Sequence, residues 1–232
     1  MKIGIITAMS SEYDLLAAQL NEKKNVEFAP FSYIEGRIND HEVVLMQSGI
    51  GKVNAAVGAT ELIRHFVPDC IISTGVAGGI DCSVRVMEVV ASQRLAYHDV
   101  WCGDGNEYGQ VQGLPLFFEG NQTLLQTALS LNSPIKIHAG LICTGDQFIS
   151  ERQQLDRIKE RFEQGLAVDM ESASIAQVCY LYGVPFLSFR IISDSPAQSD
   201  ENATQYQNFW GEMADRSFRV TEMFLHAIPN II

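Results

Sequence analysis

Three places in this 232-residue chain set acidic side chains just after short apolar runs. Glu12 follows Lys2–Thr7, Asp169-Met170-Glu171 follows Leu166-Ala167-Val168, and Asp194 follows Pro185–Ile192 by way of Ser193. Short apolar runs of this kind read as buried strands. The carboxyl ends of strands in open α/β sheets are where ligands bind. Two more strand ends carry special residues: Thr74–Gly79 after Asp69–Ser73, and Gly145-Asp146-Gln147-Phe148-Ile149 after Ile135–Cys143. If these strands run parallel, their ends share one rim and make a cleft of glycine backbone, a Phe-Ile pair, a methionine and three carboxylates. Each piece also has an ordinary role. Glu12 suits the first turn of a helix, Met9 and Met170 suit packing, Phe148 and Ile149 suit a core, and Asp194 suits a turn.

The elements that must position these residues can be read in order. Lys2–Thr7 is a first strand, and Ser10 or Ser11 can cap a helix carrying Leu15, Leu16 and Leu20. Phe28–Ile38 and Glu42–Gln47 read as two strands turning at Asn39-Asp40. Ser48-Gly49-Ile50-Gly51 breaks the chain before a helix with Val53, Ala56, Val57, Thr60 and Ile63. Val86–Ala91 is a strand, Tyr97–Pro115 a long irregular loop, and Thr123–Leu131 a helix. Glu151–Phe162 and Ser172–Leu181 are helices, and a last helix spans about Thr204–Ala227. No linker, repeat or low-complexity tract interrupts the series, so residues 1–232 are expected to form one α/β domain. The sheet should be mostly parallel, with a local antiparallel hairpin near Asn39.

Composition narrows the function. The net charge of −12, from 16 Lys+Arg and 28 Asp+Glu, argues against sequence-independent nucleic-acid binding. With 47% hydrophobic and 19% charged residues, a sizeable core is expected. The five cysteines lack CxxC spacing and the histidines form no HExxH, so reduced cytosolic thiols and no metal site are expected. No apolar run approaches membrane-spanning length, and the first strand is too short for a signal peptide. Gly49-Ile50-Gly51 lacks the third glycine of a dinucleotide fingerprint and the Lys-Ser/Thr of a phosphate loop, and no cofactor is expected.

Taken together, the segments resemble the 5′-methylthioadenosine/S-adenosylhomocysteine nucleosidases. The resemblance is carried by Met1–Ile6 with Ala8-Met9 and Glu12, Ser48–Ala56, Thr74–Gly79, Tyr97-His98-Asp99, Gly145–Ile149, Val168–Glu171 and Arg190–Asp194, in the family's order and at close to its spacing. It implies a three-layer α/β/α sandwich around a mixed, partly closed central sheet, as in the nucleoside phosphorylases. It implies N-glycosidic hydrolysis releasing adenine, a small-molecule nucleoside as ligand, a place in methionine salvage and nucleoside catabolism, and a cytoplasmic homodimer with the 97–115 loop near the interface.

Residue by residue, the resemblance makes Asp194 the acid that protonates purine N7 and Glu12 the base that orients the attacking water. Glu171 would hold the ribose hydroxyls, with Met170 and Met9 against the sugar. Phe148 would stack on adenine while the backbone of Ile149 bonds its edge; Ala77 and Gly78 would line the base pocket. Ile50 and Tyr206 would take the 5′-alkylthio group, and Arg190 and Ser193 would position the Asp194 loop. Val76 stands where many members carry Ser or Thr, and Asp169 where Glu is common; the loop from Asp99 to Tyr108 is shorter than usual. Two other readings stay open: a phosphorylase of the same superfamily, which would need cations and a hydroxyl at its anion site, and a nucleoside-binding protein without catalysis.

Overall fold

The computed structural model describes residues 1–195 and 202–231. In chain order the elements are β1 (Lys2–Thr7), α1 (Ser10–Ala17), β2 (Asn21–Phe28), β3 (Phe31–Ile38), β4 (His41–Gln47), α2 (Lys52–Phe66), β5 (Cys70–Gly79), β6 (Val89–Tyr97), β7 (Phe118–Glu119) and α3 (Gln122–Leu129). There follow β8 (Ile137–Thr144), α4 (Arg152–Arg161), β9 (Gly165–Asp169), α5 (Ser172–Tyr182), β10 (Phe186–Asp194) and α6 (Asn202–Asn208). A π-helical turn over Phe209–Met213 then leads into α7 (Ala214–Ala227).

Alternation of side chains across each strand explains why the apolar runs are continuous. In β1, Ile6 packs with α2 and α5, whereas Ile3 and Ile5 face α1 and α7. In β10, Phe186 and Ile192 face the first layer and Leu187, Phe189 and Ile191 the second. A strand covered by helices on both faces needs apolar residues at every position. The result is the expected three-layer arrangement, with α4 capping a third cluster around Ile149, Leu155, Ile158 and Phe162.

The sheet has ten strands and closes on itself in part. β10 pairs with both β5 and β6, and β6, β8, β9 and β5 complete the ring. From β5 the strands β1, β4, β3 and β2 extend as an open wing. The sheet is more mixed than expected, because β10–β6, β5–β9 and β6–β7 are antiparallel in addition to the β2–β3–β4 meander.

The strand expected at Val86–Ala91 runs instead over Val89–Tyr97, where β8 and β10 pair with it, and the last helix is divided by the π-helical turn at Phe209–Met213. Three further boundaries differ from the sequence expectation for physical reasons. Phe28–Ile38 is not one strand: the chain turns at Ala29-Pro30, where proline offers no N–H to a ladder, and the run divides between β2 and β3. β2 itself was not expected, since Asn21-Glu22-Lys23-Lys24-Asn25 has no apolar alternation; it is an exposed edge strand, where such charges discourage further pairing. β5 does not stop at Ser73 but continues through Gly79, because β10 and then β9 hold the glycine segment extended by backbone pairing.

Candidate active site

Each acid is fixed by the local fold. Glu12, only 1% exposed, lies in the first turn of α1. Its Oε2 accepts the N–H groups of Ala8 and Met9 at 2.9 and 3.0 Å, so it satisfies donors at its own helix start. Its Oε1 accepts the Val76 N–H of β5 at 3.0 Å. The close approach is possible because residue 75 is glycine: a Cβ there would lie 2.4 Å from Glu12 Oε1 and 2.9 Å from Arg190 Nη1, and its φ is +152°. Burial pushes the Glu12 carboxyl above the ordinary carboxylate range, against the opposing pull of Arg190 and the three N–H donors. A raised pKa suits a base that must take a proton from water.

Glu171 stands at the N-terminus of α5 and is 5% exposed. Its Oε1 accepts the Gly51 N–H at 3.0 Å, and its Oε2 lies 3.5 Å from Arg190 Nη2. Burial raises its pKa to about 7; Arg190 opposes the shift, whereas Asp169 and Glu12 add to it. Asp194 ends β10 at 2% exposure, and Ser193 Oγ donates to its Oδ1 at 2.5 Å. Gly78 faces this carboxyl: a Cβ there would come within 3.5 Å of Asp194 Oδ2 and 3.2 Å of a Val168 methyl.

These acids share one cleft, lined by Ala8, Met9, Glu12, Ile50, Val76, Ala77, Gly78, Gln147, Phe148, Ile149, Val168, Asp169, Met170, Glu171, Ser193, Asp194 and Tyr206. Ile149 is buried in the α4 cluster, which anchors the loop. Phe148 and Ile50, each about half exposed, stand at the mouth. Tyr206 meets Phe148 edge-on at 5.7 Å, and its Oη donates to Met9 Sδ at 3.5 Å. The rim therefore forms where strand ends were expected to gather, although β9 arrives antiparallel to β5 at the Gly78–Val168 pair.

Arg190 is the exception among the expected site residues. It lies behind the cleft wall at 1% exposure and reaches Asp169 (Nε to Oδ2, 2.9 Å), Ser172 Oγ (3.1 Å), Ser73 Oγ (3.0 Å) and Glu171. It braces the carboxylates rather than the Asp194 loop. Burial works against its charge, but Asp169, Glu171 and Glu12 more than restore it, so its pKa is held above the usual value. Asp169, expected as one of the strand-end acids but given no role of its own, is the centre of this support: Thr144 Oγ1 donates to Oδ1 at 2.6 Å and Ser172 Oγ donates to Oδ2. Gln147 and Val168 were also missed as lining residues; their position beside Phe148 and Asp169 was the available signal.

A model of the phosphorylase superfamily matches residues 2–226. A 5′-methylthioadenosine/S-adenosylhomocysteine nucleosidase of Exiguobacterium is 44% identical over 207 residues, covering 88% of both chains. The chain belongs to this nucleosidase family. Among solved members, the Streptococcus pneumoniae nucleosidase with the transition-state inhibitor MT-ImmA has a TM-score of 0.91 at 38% identity, covering 99% of this chain and 100% of that one. The Colwellia psychrerythraea member in complex with adenine also scores 0.91, at 33% identity, covering 100% and 97%. The nucleosidase family's phosphorylase-like fold is thus the fold of this chain.

Val76 is half-buried on the cleft wall, with its N–H held by Glu12. Val76→Thr should therefore leave the melting temperature nearly unchanged and shift turnover, because water can satisfy the new hydroxyl. An unsatisfied buried hydroxyl would instead cost roughly 1–3 kcal/mol. A clear fall in melting temperature with unchanged activity would place Val76 in the core.

Proposed function

We propose that the protein hydrolyses the N-glycosidic bond of 5′-methylthioadenosine and S-adenosylhomocysteine and releases adenine. The observation that carries this reading is the charge of the cleft: Glu12, Asp169, Glu171 and Asp194 line it, and no Lys, Arg or His does among the described residues. Such a cleft favours a transition state with positive charge on the ribose and repels a phosphate dianion. Hydrolysis is therefore favoured over phosphorolysis, and four carboxylates are more than mere binding of an uncharged base requires.

In this reading water attacks C1′ as the C1′–N9 bond breaks. Glu12 takes the water's proton, Asp194 gives its proton to N7, and the bond's electron pair leaves with the base as neutral adenine. Glu171 holds the ribose hydroxyls against Met170, Phe148 and Ile149 take the purine with Ala77 and Gly78, and Ile50, Met9 and Tyr206 take the 5′ group. Wild-type protein should release adenine from both nucleosides, followed by absorbance or chromatography; no adenine from either would end the proposal. The 5-methylthioribose product fits a role in methionine salvage, and a cytoplasmic setting fits these substrates. Among the described residues, no helix is long and apolar enough to cross a membrane.

Glu171→Gln should hurt a substrate with both ribose hydroxyls more than its 2′-deoxy analogue. Hydroxyls that donate to Glu171 bind its ionised form, so kcat/KM should rise as pH climbs toward about 7. The variant should lose the part of that limb that Glu171 contributes and keep the part that ionisation of Glu12 sets. Equal losses on both substrates with an unchanged pH profile would make Glu171 purely structural.

The active form is a homodimer in this account. Val53, Val57 and Trp101 are exposed, and a groove between α2 and α5 is lined by Val53, Ala56, Tyr97, Val100, Val111 and Val178 together with Lys52, Ser174 and Gln177. Exposed apolar faces of this kind mark interfaces. Leu114 and Phe117 pack half-buried against the chain's own core, with Phe117 under the Arg94 guanidinium at 4.7 Å, so Trp101 carries the exposed apolar surface of that loop. Light scattering at micromolar concentration should give twice the chain mass; a monomer would contradict this.

A further inference from the structure

Helix α2 has Gly51 at its N-cap, which has no side chain to cap it, and φ there is +96°. The first free N–H groups of this helix are instead met from other parts of the chain. The Gly51 N–H goes to Glu171 Oε1 at 3.0 Å, and the Lys52 N–H to Asp146 Oδ1 at 2.8 Å. Asp146 belongs to the segment that carries Phe148 and Ile149. Its own N–H donates to Asp99 Oδ2 at 2.9 Å. Asp99 in turn receives Lys52 Nζ on both carboxylate oxygens, each at 2.7 Å. The ring closes: Lys52 to Asp146, Asp146 to Asp99, Asp99 back to Lys52. Lys52 Nζ also lies over the Tyr97 ring at 5.4 Å from its centre.

We infer that Lys52, Asp99 and Asp146 form a positioning clasp that holds both ends of the nucleoside cleft in register. On one side it fixes the Gly49–Lys52 turn, and with it Ile50 at the mouth and the Gly51 N–H on Glu171. On the other it fixes the Gly145–Ile149 segment. None of the three lines the cleft, so the clasp acts through other residues. The Lys52 and Asp99 side chains are only 22% and 17% exposed, which shields the pair from screening. Gly51 is part of the device, since a Cβ there would press to 3.1 Å from Asp146 Oδ1. The clasp predicts a loss of affinity, because it sets the spacing between base site and sugar site while leaving Asp194 and Glu12 untouched.

This role rests on the nucleosidase reading of the cleft, so the test carries a control for that reading. Lys52→Met, Asp99→Asn, their double variant, Lys52→Arg and Phe148→Ala are assayed on 5′-methylthioadenosine, with melting temperature and mass measured for each. Lys52→Met and Asp99→Asn should each raise KM roughly tenfold with kcat changed far less, as expected when binding groups are misplaced. The double variant should be no worse than either single one, because the residues act as a unit. Lys52→Arg should recover most of the loss, with mass unchanged throughout. If Phe148→Ala raises KM while the clasp variants do not, the clasp is refuted and the cleft stands. A melting-temperature loss with unaltered KM, or losses that multiply in the double variant, would also refute it. If Phe148→Ala and all clasp variants leave KM unaltered, the reading of the cleft fails too. Should Lys52→Met fail to fold, Asp99→Asn and Lys52→Arg decide by the same criteria.

Discussion

Asp194→Asn is expected to lower kcat on the order of 10²–10⁴-fold while leaving nucleoside affinity close to wild type. The carboxyl ends β10, is held by the Ser193 hydroxyl, and faces the space left by the absent side chain of Gly78. An amide has the same shape and can still donate a hydrogen bond to purine N7, but it cannot hand over a proton. The leaving base would then depart as an anion from a cleft already lined by Glu12, Asp169 and Glu171. The loss should appear in single-turnover rates as strongly as in steady state. Turnover near wild type would remove Asp194 from the chemistry.

The second large effect concerns stability. Arg190→Met should cost about 3–5 kcal/mol, the usual result of removing one partner from a buried charge cluster. Asp169, Glu171 and Glu12 would remain buried without their cation. At about 2–4 °C per kcal/mol for a chain of this size, the melting temperature should fall by roughly 10 °C. The sign of its pH dependence follows from the acids. Protonation removes the repulsion that Arg190 had balanced, so the deficit should shrink as pH is lowered and widen as it rises. An unchanged melting temperature, or a deficit independent of pH, would show that Arg190 is not the charge balancing this cluster.

Much of this arrangement could be read from the chain. The acids after apolar runs were visible as pattern, and burial on both faces explains why those runs were so evenly apolar. Other features were hidden because the forces that create them are not local. β5 continues through Thr74–Gly79 only because β10 and β9 pair with it; glycines by themselves carry no strand preference. β2 is held by pairing with β3 and has no buried face to print a period on its sequence. Arg190 looked like a residue near Asp194 because it is close in sequence. In β10, residues four apart stand well separated along the strand, with a register shift between Ile192 and Asp194, and Arg190 meets the acids of β9, α5 and α1 instead. Pro30, by contrast, was a legible break inside Phe28–Ile38.

In the proposed mechanism water guided by Glu12 attacks the ribose in a cleft that no Lys, Arg or His lines among the described residues. The most direct test of this step is the product formed from 5′-methylthioadenosine with and without inorganic phosphate. Equal rates of adenine release in both conditions, with free 5-methylthioribose as the sugar product, are expected. Adenine release that requires phosphate, with a ribose 1-phosphate as the main product, would contradict it.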